Sequence, residues 1–435
     1  MQELVLQPTM IAFFNAYLDT KPELWYLLIL ANQVFIRQMN QKNTKTAFEK
    51  RIKRRILAKE HTFFASCAPG LKTLLTQEIE NLNLESKKIA PKKAGVEFYG
   101  KIHDCYLANL RLRIPIRILM RVQTFKAENF STLEQKLDQF DWELLLQKNA
   151  RLNFHVSTKK SRLYHTDAIS ERARKIITRK LSMVGDITDI QNDDTSHDIF
   201  IRAENDLFEI SLDSSGNLLH KRGIKENTTH APLRENLAWA ILLLSGFSKD
   251  DVLIDPMCGS GTFSLEACMF KQGIPPGMNR NFAFQSWQCF RENNWEYIKN
   301  QARNNLEAGK AKEVFASDID NKSISSIKQN INKNSFDNLI EVNKIDFFDI
   351  VPDSFSPQKG VVVLNPPYGK RIGKGQSSSV FYNEIGRKLE KDFKGWRVGI
   401  IMPEKHLLKN SHFQKSALRS FYHGGLDVFL LTGII

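Results

Sequence analysis

The tetrapeptide Val361-Val362-Val363-Leu364 carries no polar side chain, and it runs straight into Asn365-Pro366-Pro367-Tyr368-Gly369. Four branched aliphatic residues in a row show no alternation, so neither face of the segment can be turned to water. A strand buried on both faces belongs in the middle of a parallel sheet covered by helices, which demands an α/β layer architecture. The two prolines end the strand, because each removes a backbone donor and fixes φ at roughly −65°. In such sheets, ligands bind beyond the carboxyl ends of the strands. Asn365, Pro366, Pro367 and Tyr368 are therefore the candidate catalytic residues. The Asn365 side-chain oxygen and the Pro366 carbonyl are rigid acceptors, and a planar exocyclic NH2 offers the two donors such a pair can grip. Holding both hydrogens localises the nitrogen lone pair and aims it at a methyl group. Tyr368 can stack on the base. A plain structural turn uses the same residues.

Three earlier segments share one form, an apolar run closed by an acid. The first is Val252-Leu253-Ile254-Asp255, followed by Pro256-Met257-Cys258-Gly259-Ser260-Gly261-Thr262 and a helical stretch from Phe263 to Phe270. A glycine-rich loop lets a ligand approach the backbone at a helix N-terminus. The third glycine of G-x-G-x-x-G is missing, so a dinucleotide is a poor fit. A carboxylate at the strand end would repel a pyrophosphate but suits a cationic ligand, such as the amino group and sulfonium of S-adenosylmethionine. A glycine turn without a ligand is the competing reading. In the second segment, Val314 to Asp320, Asp318 stands where a doubly wound fold grips a ribose diol. A helix N-cap asks for the same residue type. In the third, Ile345-Asp346-Phe347-Phe348, Asp346 can accept from the amine of an adenine and Phe347 can pack on its ring. A surface turn reads alike. Taken in order, each at a strand end, the four segments describe one cofactor and one amine.

Upstream, charge becomes informative. The chain of 435 residues has 62 Lys+Arg against 48 Asp+Glu, a formal +14. That excess points toward nucleic acid, although many basic proteins bind none. Half of it lies in residues 150–182, where nine Lys/Arg face Asp167 and Glu171 for a net +7. A strand, Leu152 to Ser157, leads into the loop Lys159-Lys160-Ser161-Arg162 and a helix from Asp167 to Leu181. Arg172, Lys175 and Arg179 share one face of that helix, away from Ile169, Ala173 and Ile176. Phosphate contact and a solvated face both suit this pattern. The same pair of readings applies to Lys370 and Arg371, just after the candidate catalytic residues, and to the basic run Lys50 to Lys59.

Organisation follows from these periodicities. Residues 1–60 read as a helical, basic N-terminal extension. Residues 61–145 alternate strand and helix, with strands at His61 to Ser66, Gly95 to Gly100 and Ile116 to Phe125, as in a small α+β unit. Residues 146–225 hold the basic helix and two further strand patterns, and the polar stretch Lys221 to Thr229 reads as the linker into 226–435. The five cysteines are Cys67, Cys105, Cys258, Cys268 and Cys289, with no C-x-x-C pair. An odd, unpatterned set predicts neither a disulfide framework nor a metal site, and fits a cytoplasmic setting. No apolar stretch approaches the roughly 20 residues of a membrane span.

Asp255-Pro256-Met257-Cys258-Gly259-Ser260-Gly261-Thr262, Asp318, Asp346 and Asn365-Pro366-Pro367-Tyr368 resemble the motifs of class I S-adenosylmethionine-dependent methyltransferases acting on exocyclic base amines. Residues 62–435 further resemble bacterial THUMP-domain enzymes that make N2-methylguanine in large-subunit (23S) ribosomal RNA. Lys159 to Thr166, Ala231 to Ala238 and Ile274 to Phe284 carry that closer likeness. The resemblance implies a ferredoxin-like segment (61–145) and a THUMP RNA-binding domain (146–225). A Rossmann-like methyltransferase domain (226–435) would follow, with a mostly parallel seven-stranded sheet and an insertion at about 271–310. It implies S-adenosylmethionine as cofactor. Asp318 would hold the ribose, Asp346 and Phe347 the adenine. Asp255, Pro256, Cys258, Gly259, Gly261 and Thr262 would hold the methionine end, and Pro232 and Glu235 would cover it. Asn365 and Pro366 would hold the guanine amine, with Tyr368 stacked on the base. Lys159, Lys160, Arg162, Arg172, Lys175, Arg179, Lys370 and Arg371 would meet RNA. The chain ends soon after His423-Gly424-Gly425, as expected of a single methyltransferase domain rather than a fused pair. The expected protein is a monomer without a metal. The rival readings are N2-guanine methylation of transfer RNA, N6-adenine methylation of DNA or RNA, and an RNA-binding assembly factor with a vestigial pocket.

Overall fold

The structure, a computed structural model, describes residues 45–183, 196–225, 233–307, 311–367, 377–409, 411–423 and 426–435. Strands β1 (His61–Ser66), β2 (Ile89–Lys92), β3 (Gly95–Gly100), β4 (Arg117–Lys126), β5 (Arg151–Lys159), β6 (Ser196–Glu204) and β7 (Leu207–Asp213) form one sheet, ordered β2-β3-β1-β4-β7-β6-β5. The two units read from sequence as 61–145 and 146–225 thus share a sheet, because β4 pairs antiparallel with β7 from Leu119↔Asp213 to Lys126↔Leu207. On β6, Ile199, Ile201 and Ala203 are buried while Asp198, Phe200 and Arg202 alternate on the other face, the period of a half-buried strand. The short β2 escaped the sequence reading because it contains Pro91. It is an edge strand, where a missing donor is tolerated.

The helices of this half are α1 (residues 45–52, continued by a π turn at Lys53–Leu57), α2 (Lys72–Glu80), α3 (Ile102–Arg111), α4 (Phe130–Gln139) and α5 (Thr166–Ser182). The described part of the N-terminal extension is docked: Phe48, Ile52 and Ile56 of α1 and its π turn are buried in the core. Their spacing by four places them on one face.

The second sheet comprises β8 (Leu253–Asp255), β9 (Val314–Ser317), β10 (Ile340–Asn343), β11 (Val361–Leu364), β12 (Arg397–Met402), β13 (Gln414–His423) and β14 (Leu426–Ile434). Its order is β10-β9-β8-β11-β12-β14-β13. The first five are parallel, and β14 runs antiparallel to β12 and β13. The chain steps outward from β8 to β10, then returns to place β11 on the other side of β8, so the topological switch point lies between β8 and β11. In β11, Val361 and Val363 enter one core cluster while Val362 and Leu364 enter the other. Both faces of this strand are therefore buried, as its composition requires. This is a Rossmann-like α/β sheet, flanked by α6 (Glu235–Leu244), α7 (Thr262–Lys271), α8 (Glu292–Asn304), α9 (Asn321–Asn334) and α10 (Ser378–Asp392).

The segment between α7 and β9 packs against the first sheet's helices. Tyr106 of α3 stacks on Phe284 at 4.5 Å and lies edge-on to Phe290 and Trp295. Gly277 N–H donates to the Leu110 carbonyl at 2.9 Å, and Phe284 N–H to that of Ser214 at 3.1 Å. One core cluster consequently runs through both halves of the molecule.

Candidate active site

Parallel pairing sets the geometry. Val362 sits opposite Ile254 and Ala316 opposite Asp255. Asp255, Asp318 and Asn365 therefore all emerge at the carboxyl edge, on the three central strands β8, β9 and β11.

The glycine-rich loop is tied to the end of β9. Cys258 N–H donates to the Ser317 carbonyl at 2.9 Å and Gly259 N–H to Asp318 Oδ2 at 2.8 Å. Asp318 Oδ1 accepts from Asp320 N–H at 2.9 Å. This carboxylate is half-buried, and each oxygen retains capacity for a further donor. Gly261 has φ +79°, and a Cβ there would lie 2.5 Å from Ile327 Cδ1. Glycine is required at this position both by backbone conformation and by the close approach of α9. At Gly259 (φ +53°) an added Cβ would meet nothing within 4 Å, so the loop borders open space there. Cys258 is buried, and its thiol is pushed up by burial and by the carboxylates of Asp255 and Asp318.

Asp255 is fully buried. Its Oδ2 accepts from the Ser264 hydroxyl at 2.7 Å, while Oδ1 has no partner. Burial pushes its pKa up to about 7, against the Ser264 hydrogen bond. An orphaned, buried acceptor beside a helix N-terminus has the polarity that an ammonium group would complete.

The remaining expected residues fall as follows. Asp346 is exposed, and its Oδ1 accepts from Phe348 N–H at 3.0 Å. Phe347 is buried against Phe348 and Phe393. Asn365 and Pro367 are half-buried and Pro366 is buried. Pro232, Tyr368, Lys370 and Arg371 lie outside the described residues. Thr262 and Glu235 are brought together by a residue the sequence did not single out. Lys225 donates to Thr262 Oγ1 at 2.7 Å and pairs with Glu235 Oε1 at 3.1 Å. Its only signal was its place in the polar stretch Lys221 to Thr229, which read as a linker. That stretch also contributes the buried Arg222 and Ile224.

Several of the expected RNA-contacting cations stand in surface ion pairs. Arg172 pairs with Glu134, Arg179 with Asp138 at 2.8 Å, Arg162 with Glu128 at 2.5 Å and Lys159 with Glu204 at 3.9 Å. Among the described residues, Lys160 and Lys175 are the expected RNA-contacting cations that remain exposed without an ion pair.

The chain is 32% identical over 378 residues to slr0064 of Synechocystis sp., provisionally named an RNA methyltransferase, covering 85% of this chain and 95% of that one. The chain belongs to the RMKL-like methyltransferase family. The family's methyltransferase domain matches residues 222–427, and the RlmL ferredoxin-like domain matches residues 62–119. The ribosomal RNA large subunit methyltransferase K/L of Methylococcus capsulatus is 31% identical over 380 residues, 84% of this chain and 50% of that one. The chain thus spans half the length of this relative. Among solved structures, SMU.472, provisionally named a methyltransferase and complexed with SAH, superposes with a TM-score of 0.77 at 28% identity, over 86% of this chain and 98% of that one. A Listeria monocytogenes protein, named by prediction as an N6-adenine-specific DNA methylase, superposes with a TM-score of 0.76 at 26% identity, over 86% of this chain and 96% of that one. In this RMKL-like chain no described helix is long and apolar enough to cross a membrane.

Proposed function

We propose that this methyltransferase transfers a methyl group from S-adenosylmethionine to the exocyclic N2 amine of a guanine in large-subunit ribosomal RNA. The observation that carries the reading is the convergence of Asp255, Asp318 and Asn365 on one sheet edge across the switch point. An enzyme needs its cofactor and its amine-gripping acceptors within reach of each other, and adjacent parallel strands supply that. The name of the Methylococcus relative supports the RNA class, and the SAH complex of SMU.472 supports the cofactor.

The residues present fit that cofactor. The unpartnered Oδ1 of Asp255 suits the amino group, and the two oxygens of Asp318 suit the ribose hydroxyls. The second oxygen of Asp346 suits the adenine amine. S-adenosylmethionine, when bound, supplies an electrophilic methyl on sulfur. Asn365 and Pro366 would hold the target amine by both hydrogens and orient its lone pair; as the N–C bond forms, the methyl–sulfur bond breaks, its electron pair stays on the thioether, and the amine loses one proton to water. A base held in a helix must leave its stack to present its amine here. Lys160 and Lys175, with the exposed cations of α1, would meet RNA phosphates.

Asn365→Ala tests the reading. The expected outcome is a loss of about 10²-fold or more in methyl transfer, with unchanged melting and unchanged S-adenosylhomocysteine affinity. Transfer near the wild-type rate would refute the role of Asn365. The name of the Listeria structure favours a second reading, N6-adenine methylation. Mass spectrometry of nucleosides from RNA and DNA methylated by the protein separates the two.

A further inference from the structure

We propose that Lys221, Arg234 and Arg280, gathered around His220 where the two halves of the molecule meet, form a binding site for the phosphate backbone of the RNA substrate. The site rests on the RNA methyltransferase reading above. Three separate elements supply its cations. The segment after β7 gives Lys221, the N-cap of α6 gives Arg234, and the segment between α7 and β9 gives Arg280. Arg280 is the anchor. Its Nη1 donates to the carbonyls of Leu218 at 2.9 Å and Lys221 at 3.1 Å, and its Nη2 to that of Ser215 at 3.1 Å. Gly223 (φ +80°) lets the two backbones close up, since a Cβ there would lie 2.3 Å from the Asn279 carbonyl oxygen.

The charge of this cluster is unbalanced. Burial first, then the charges of Arg234, Arg222, Lys221 and Arg280, lower the His220 pKa to about 4, and its buried Nδ1 has no partner. Arg222 is balanced by Glu266 at 3.0 Å. Asp213, the acid that acts on Arg280, is already paired with Arg117. Among the described residues no acid pairs with Lys221, Arg234 or Arg280, and Lys221 and Arg234 are exposed. Like charges gathered without an acid repel, and an incoming phosphate relieves the repulsion while accepting from both exposed side chains. Position favours RNA as its source. Glu235, next to Arg234, meets Lys225 at 3.1 Å, and Lys225 donates to Thr262 at the start of α7. The cluster therefore lies between the first sheet and the glycine-rich loop, where an RNA strand running from one to the other would pass.

The test is filter binding of a large-subunit ribosomal RNA transcript to the full chain over a salt series. Lys221→Gln combined with Arg234→Gln should lower the slope of log affinity on log salt by about 1.5, at roughly 0.7–0.9 per phosphate contact. It should raise KM for the transcript while kcat stays within about twofold of wild type. Melting and S-adenosylhomocysteine affinity should match wild type, because both side chains are exposed. Lys328→Gln combined with Lys391→Gln removes the same charge from exposed positions on α9 and α10 and should move the slope by less than about 0.5. An unchanged slope in the first variant, or an equal fall in both, overturns the site. Saturable binding of inorganic phosphate that the first variant abolishes, with the RNA slope unchanged, would reassign the cluster to a free anion and overturn its RNA role. Wild type that neither binds S-adenosylhomocysteine nor methylates the transcript would instead overturn the reading on which the site rests.

Discussion

At Asp255, burial and the proposed contact with the cofactor's ammonium favour opposite protonation states. Burial raises its pKa to about 7; Ser264 and Lys225 oppose the rise and the nearby charge of Asp318 adds to it. An unfolded aspartate titrates at about 3.9, so the folded protein without cofactor favours the protonated acid. The stability this contributes is complete below about pH 3.9 and is lost as pH rises through about 7. A bound ammonium requires the ionised form instead. Cofactor binding at about pH 6 should therefore release a proton, and affinity should rise between about pH 6 and 8. Calorimetry in buffers of different ionisation enthalpy measures both. Asp255→Asn should flatten the dependence, and a flat wild-type profile would show that the ammonium does not meet this carboxylate. The carboxyl-edge positions of Asp255, Asp318 and Asn365 were legible because each closes or follows an apolar strand directly. The burial of Phe347 was not legible, because a turn aromatic next to an acid has the same sequence whether it covers a ligand or the core.

Among the elements, α5 and α1 read alike in sequence as basic helices, but the fold pairs their charges differently. The face of α5 is basic, but α4 lies alongside with Glu134 and Asp138 set against Arg172 and Arg179. On α1 and its π turn, Arg51 and Arg55 pair with Asp141 and Glu143, and the buried face anchors the helix. Lys50, Lys53 and Arg54 are left exposed on the far side, without an ion pair among the described residues. Each phosphate contact contributes roughly 0.7–0.9 to the slope of log affinity on log salt. Replacing Lys50, Lys53 and Arg54 together with Gln should lower the slope for RNA by about two. Replacing Arg172 and Arg179 should lower it by less than one. Filter binding over a salt series checks the order, and the reverse order would return the docking role to α5. The periodicity of each helix was legible alone; the charge left after pairing was not, because the partners of α5 lie 38 and 41 residues away.

Across the whole molecule, the two sheets are welded rather than linked. Arg222 from the supposed linker is buried and donates to Glu266 of α7 at 3.0 Å, and Arg113 of the first half reaches the same carboxylate at 3.3 Å. Glu78 of α2 accepts from the Trp239 indole of α6 at 2.9 Å. With one core cluster across both halves, thermal unfolding should show a single calorimetric transition. Arg222→Met should cost about 3–5 kcal/mol, because Glu266 keeps its charge and loses a partner; denaturant titration measures it. Two well-separated transitions in wild type would show that the weld is not cooperative. The catalytic sheet and the carboxyl-edge placement of its acids and of Asn365 were determined by the sequence alone, since a strand buried on both faces and an acid at its end are local patterns. The docking of α1, the cancellation of charge on α5, the weld and the place of Lys225 were decided only by the tertiary structure. They depend on contacts such as Glu49 with Arg291, 242 residues apart, and no local pattern of side chains specifies which distant charge will arrive.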